Sequence, residues 1–164
     1  MRALFVLLFS LIAGTAQGRE GWTVYQDAAC GYALEHPVAG FDVTVTDKGL
    51  TLIEQGASGQ IDIYCATNAE RRSPASFERV LAGAERIREI TYSRSGRSWL
   101  AVSGYYQADQ QRGDDLIFYA KFMFSADFSR LAAFEASYPA SERQHFDAIV
   151  ERMEDSLTAP RPSD

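Results

Sequence analysis

The chain holds few residues of the types that do chemistry: two histidines, His36 and His145, and two cysteines, Cys30 and Cys65. His36 precedes a proline at the end of an alternating apolar run, where an imidazole packs rather than moves protons. His145 opens a helical stretch beside Phe146, off the apolar stripe, and reads as a solvated surface side chain. The two do not stand at metal-ligand spacing, and no Cys/His/Asp cluster asks for zinc. No D-x-D-x-D-G calcium loop occurs. "GASGQ" sets a serine between glycines, but it is not G-x-S-x-G and it falls between strands instead of at a strand-to-helix elbow. No Walker or G-x-G-x-x-G phosphate cradle is present. Acidic residues abound, yet no spacing singles out a glycosidase pair. "RGD" at Arg112 to Asp114 sits in a hairpin loop, where turn chemistry accounts for it. The expectation is a protein with no cofactor, no metal and no catalytic residues, a hydrolase with an unrecognised site ranking last among the alternatives.

The cysteines speak to compartment. "MRALFVLLFSLIAGTAQG" has the form of a cleaved export signal: Arg2, an apolar core from Leu4 to Ile12, and a small-x-small site at Ala16 to Gly18. That core is far short of the ~20 residues a membrane-spanning helix needs, and no second long apolar run follows. Cleavage after Gly18 would remove 18 of 164 residues, leaving 146, a single-domain length. It would also remove one Arg and no acid, taking the net charge from −6 to −7. Such a charge disfavours nucleic acid as a partner. Outside the cytoplasm, two lone cysteines usually pair, so a Cys30–Cys65 disulfide is expected, the alternatives being two buried thiols or a redox pair, the last disfavoured by the lack of a C-x-x-C motif. Closing a loop of about 35 residues stabilises by roughly 3–4 kcal/mol in the chain-entropy view. The sequence thus predicts a signal at residues 1–18, one domain over 19–157, and a disordered Pro-rich tail at 158–164.

The elements that would position any site follow from periodicity. "WTVYQ", "GYALEH", "FDVTVTD", "GLTLIEQ" and "QIDIYCAT" read as five strands, the last with Ile61, Ile63 and Cys65 on one face. "RRSPASFERVLAGAERI" reads as a helix, with Ser73 as N-cap, Pro74 at the first position and a stripe through Phe77, Val80, Leu81, Ala84 and Ile87. Seven arginines between Arg71 and Arg97 outnumber three glutamates there and are expected on a solvated face, the alternative being a docking patch for something acidic. Four more strands follow: "EITYSRSG", "SWLAVSGYYQ", "DLIFYAKFMFS" and "SRLAAFEASY". A final helix is signalled by Ser141 and Gln144 as a capping box and by a stripe of Phe146, Ile149, Val150, Met153 and Leu157. This order predicts an α+β domain with a mainly antiparallel sheet covered by helices.

Register then sorts the last three strands into faces. Turns centred near Gln111 and Asp127 place Tyr119 beside Ser103 and Lys121 beside Glu135 or Ala133. Leu100, Val102, Phe118, Phe122, Phe124, Phe134 and Tyr138 then form an apolar face, the expected seat of the C-terminal helix. The opposite face gathers Tyr105, Tyr119, Lys121 and Glu135, either a cross-strand ion pair at a wet edge or a shallow ligand or partner groove.

The runs "GYALEHP", "SWLAVSGY", "IFYAKF" and "FEASYPASERQHFDAIVERMEDSL" resemble small exported bacterial proteins of the PsbP-like group, named for the extrinsic P subunit of the photosynthetic oxygen-evolving complex. The resemblance covers roughly residues 22–157. It implies an α/β/α sandwich around an antiparallel sheet of about six or seven strands, with the C-terminal helix packed on it. It also implies an accessory or assembly role without chemistry of its own, and it carries over no functional residue. His36 stands where such proteins often show Tyr before Pro. The expectation is therefore a periplasmic, non-catalytic accessory or binding module that contacts another periplasmic or membrane-associated protein. The alternative is a small-ligand carrier using the mixed face.

Overall fold

The computed structural model describes residues 21–107 and 115–163. The expected export signal at 1–18 and the tripeptide at 112–114 lie outside these residues. Strands β1 (Trp22–Asp27), β2 (Tyr32–Pro37), β3 (Phe41–Val45), β4 (Gly49–Glu54) and β5 (Gln60–Thr67) lead to helix α1 (Pro74–Ala82). Then come β6 (Ile87–Ser95), β7 (Trp99–Tyr106), β8 (Leu116–Phe124), β9 (Arg130–Pro139), a 3-10 turn (Ala140–Glu142) and helix α2 (Arg143–Ser156). Each strand expected from period-2 patterning is present, and so are both helices.

Seven strands form one sheet in the order β3-β4-β5-β9-β8-β7-β6, and β1 and β2 form a separate ribbon. Every pairing is antiparallel. The sheet is two meanders joined where β5 meets β9, with α1 making the crossover between them. Ser73 caps α1 as its sequence predicts, its hydroxyl accepting from the Ser76 N–H at 3.4 Å, and Pro74 opens the helix. The helix is shorter than its stripe: it ends at Ala82 with Gly83 as C-cap, Val80 is 48% exposed, and Ile87 already begins β6. Phe77, Leu81 and Ala84 pack on Leu100, Phe118, Phe122 and Phe124.

α2 buries the expected stripe of Phe146, Ile149, Val150 and Met153, with Leu157 just beyond. It covers the other side of the sheet together with the β1–β2 ribbon. The result is an α/β/α sandwich with two separate apolar layers, one on each side of the sheet. The Ser141–Gln144 capping box does not form. Ser141 is taken up in the 3-10 turn, and Glu142 stands at the N-cap position with no side-chain cap bond.

The C-terminal segment corrects another expectation, because residues 158–163 are not a loose tail. The Thr158 N–H donates to the Ala33 carbonyl at 2.9 Å, the Arg161 N–H to the Cys30 carbonyl at 2.9 Å, and the Ser163 N–H to the Ser129 hydroxyl at 2.8 Å. Pro160 is buried. Proline lacks an N–H, so a proline-rich strap satisfies its few donors along the edge of β2 without building a full strand. Gly31, at φ +76, lets the Arg161 side chain lie directly over it, since a Cβ there would be 2.3 Å from the Arg161 Nε.

Candidate functional site

Register decides where the predicted site residues fall. β7 and β8 pair as expected, Tyr119 opposite Ser103 and Tyr105 opposite Ile117. β8 and β9 pair one residue out of step with the expectation: Lys121 faces Phe134, and Glu135 faces Ala120. A one-residue slip moves a whole strand's side chains to the other side of the sheet. Tyr105, Tyr119 and Lys121 therefore share the α2 side, while Glu135 lies on the α1 side. No Lys121–Glu135 pair exists. The helix expectation changes with it, because α2 rests on Phe134 and Tyr138 from β9 but on the Tyr119 and Lys121 face of β8. Leu100, Val102, Phe118, Phe122 and Phe124 lie under α1 instead.

On the α2 side, Lys121 is 7% exposed and its ammonium bonds the Glu154 carboxylate of α2 at 2.7 Å. The same ammonium lies 3.9 Å from the Trp99 ring centroid, a cation–π contact. The Tyr119 hydroxyl also donates to Glu154. Burial, and then this bond to a carboxylate, push the Tyr119 phenol well above its ordinary range. The three side chains form a closed group that locks α2 to β8. Lys121 thus serves a partner inside the fold and is not a free ligand group.

Beside this group a cleft of about 540 Å³ opens between α2 and strands β6 to β8. Ser103, Tyr105 and Tyr119 form its floor, Tyr92 its rim, and Arg143 and Asp147 of α2 its far wall. Tyr92 arrives there through a β-bulge. β6 advances from Ile90 to Tyr92 while β7 moves one residue, so Tyr92 pairs with Ser103 on the α2 side. Period-2 reading could not find it, because the bulge breaks the parity that such reading assumes. Tyr138 closes the base, stacked on Phe146 with centroids 4.3 Å apart. Burial and the nearby Asp147 charge hold its phenol at about 12.

On the α1 side, Glu135 receives Arg86 in a two-point pair at 2.8 and 3.0 Å, and the Tyr106 hydroxyl donates to the same carboxylate. Asp62, directly opposite Glu135 across β5 and β9, accepts from the Thr51 hydroxyl at 2.7 Å and the Gln60 amide at 2.8 Å. α1 does not reach this part of the sheet. Asp62, Tyr64, Arg86 and Glu135, with Lys48 at the rim, line an open groove of about 750 Å³. Among the described residues, four of the seven clustered arginines have carboxylate partners: Arg71 with Asp127, Arg72 with Glu70, Arg86 with Glu135 and Arg88 with Asp115.

Cys30 and Cys65 lie at disulfide distance, with Cα atoms 6.5 Å apart, and join the β2 end of the ribbon to β5. His36 is 3% exposed, more buried than its sequence suggests, and its Nδ1 donates to the Pro37 carbonyl at 3.0 Å. His145 is half-exposed but not isolated, since its Nε2 lies 2.7 Å from the Glu54 carboxylate. Among the described residues no group of three or more His, Cys, Asp or Glu is placed to hold a metal ion. No described helix is long and apolar enough to cross a membrane.

No protein-family model matches the sequence, and no curated protein sequence matches it. Solved structures do. Cyanobacterial PsbP (CyanoP) from Synechocystis sp. PCC 6803 superposes with a TM-score of 0.61 over 91% of this chain and 98% of its own, at 9% identity. The Saccharomyces cerevisiae Ran-binding protein Mog1p gives a TM-score of 0.58 over 84% of this chain and 95% of its own, at 9% identity. The chain therefore has a PsbP-like fold, a sandwich that Mog1p shares.

Proposed function

We propose that this protein is an exported, non-catalytic accessory or binding module that acts in the periplasm on another exported or membrane-associated protein. One observation carries the reading: α1 leaves the β4–β5 part of its side of the sheet uncovered, and that surface is broad, mixes charged and apolar side chains, and is held in place by its own hydrogen bonds. A groove of this kind suits a protein surface, whose recognition relies on preformed polar groups and shape rather than on deep enclosure. Mog1p, named as a Ran-binding protein, supports the use of this fold for protein recognition. The expected signal at residues 1–18 and the Cys30–Cys65 pair support export. Asp62 and Lys48 offer the test, since both line the groove and neither belongs to the Arg86–Glu135–Tyr106 group. Affinity capture from periplasmic extract should retain a partner with the wild-type chain and lose it with Asp62→Lys combined with Lys48→Glu. Equal capture by the variant would contradict the surface assigned, and turnover by the purified protein would contradict the non-catalytic reading.

A second reading, a small-ligand carrier, is favoured by the tyrosine cleft on the α2 side, whose volume lies within the usual range for ligand sites.

A further inference from the structure

We propose that the tyrosine cleft binds a neutral saccharide, one or two pyranose rings seated against Tyr92 and Tyr105. This rests on the carrier reading of the cleft and specifies its ligand by chemistry.

The lining has three properties that together narrow the ligand. Its aromatic surface is polar-edged: Tyr92, Tyr105, Tyr119 and Tyr138 all reach the cleft, and each ring carries a hydroxyl at its tip. Tyr92 is 43% exposed, a large ring left open to solvent at the rim. Tyr105 is braced by the Arg88 guanidinium, 4.9 Å from its centroid, so its orientation is set before any ligand arrives. Preorganised rings lose little side-chain freedom on binding, which favours a weakly interacting ligand.

The charges at the wall point the same way. Arg143 and Asp147 are 3.9 Å apart on successive turns of α2, so the wall supplies donors and an acceptor with no net charge. An anionic ligand would gain from Arg143 but meet Asp147, and a cation would meet the reverse. A purely apolar ligand would strip water from these groups and from the phenols of Tyr92, Tyr105 and Tyr138 (the Tyr119 hydroxyl is held by Glu154) without replacing its hydrogen bonds, which is unfavourable for each group left unpaired. A pyranose avoids both problems. Its axial C–H groups carry partial positive charge and stack on the electron-rich faces of tyrosines, while its hydroxyls both donate and accept. Tyr138 adds to this match: it is 2% exposed and lines the base of the cleft, and among the described residues no hydrogen bond engages its hydroxyl. A cleft of about 540 Å³ has room for one or two such rings.

Saturation-transfer NMR tests this with maltose, cellobiose and N,N′-diacetylchitobiose as probes, and with benzoate and indole-3-acetate as aromatic anions for comparison. The expected result is transfer to the ring C–H protons of at least one disaccharide. Affinity should fall roughly tenfold in Tyr92→Ala, with Tyr92→Phe, which keeps the stacking face, close to wild type. Tyr92 lies at the rim, so its loss leaves the core intact, and unchanged thermal unfolding of the variant confirms that. Binding of an aromatic anion but no disaccharide would overturn the saccharide inference and leave the carrier reading standing. Binding of none of the five would overturn both. Disaccharide binding unaffected by both Tyr92→Ala and Tyr105→Ala would overturn the site.

Discussion

The two sides of this sheet are built from similar strands and end in opposite states. On the α2 side, a fourteen-residue helix and the β1–β2 ribbon close over β9 and β8, and the buried charge there is matched inside the fold, Lys121 with Glu154. On the α1 side, a nine-residue helix packs on β6, β7 and the Phe122 and Phe124 rings of β8, and beyond it Arg86 and Asp62, with the nearly buried Glu135 between them, line an open groove. The difference is one of cover. Where a helix is long enough to span the strands, polar side chains become internal ties. Where it stops short, the same residue types become surface. The tyrosine cleft is the exception on the closed side, lying where α2 diverges from β6 and β7.

The comparison breaks first at its anchors. Phe146→Ala removes a fully buried ring from the α2 layer and should cost about 3–5 kcal/mol, whereas Phe77→Ala, at a half-buried ring of the short helix, should cost about 2 kcal/mol. Urea midpoints of the two variants check the order, and equal losses would mean that the two layers are equally closed. Next comes the covalent tie. Cys30→Ala with Cys65→Ala should cost roughly 3–4 kcal/mol, with faster amide exchange in the ribbon and the C-terminal strap than in β7. A smaller contrast sharpens the electrostatic half of the comparison. Glu154→Leu leaves Lys121 buried without its partner and should cost about 2 kcal/mol. Glu135→Gln loosens a pair whose arginine is 58% exposed and should cost about 1 kcal/mol or less.

The smallest effect is a pH dependence. Burial holds the His36 imidazole below its ordinary value. The unfolded chain then takes up a proton more readily than the folded one, so stability should fall as pH drops below about 6.5 and level off once the pH passes the folded value. Stability curves between pH 5 and 8 should be flatter in His36→Phe, and an identical slope would remove His36 from the account.

The order of strands and helices was readable because each element has its own periodicity and punctuation. Ser73 and Pro74 start α1, Gly83 stops it, and the α2 stripe is continuous from Phe146 to Leu157. What could not be read was parity across the β8–β9 turn. The Asp127 carboxylate accepts from the Ser129 N–H, the Ser129 hydroxyl and the Ser125 hydroxyl, and Phe128 adopts φ +59. This tight local network centres the turn between Asp127 and Phe128 rather than on Asp127, and half a residue is enough to send Glu135 to the other side. Side-chain hydrogen bonds within a five-residue loop leave no trace in hydrophobic periodicity. The bulge that delivers Tyr92 to the cleft is hidden because it breaks the alternation that such reading assumes.

The separation of the two faces is tested most directly by a pair of double-mutant cycles on stability, Lys121 with Glu154 and Lys121 with Glu135. The structure predicts a coupling of about 1 kcal/mol or more for the first pair and none beyond error for the second. Coupling between Lys121 and Glu135, with none between Lys121 and Glu154, would contradict the register on which both the cleft and the groove depend.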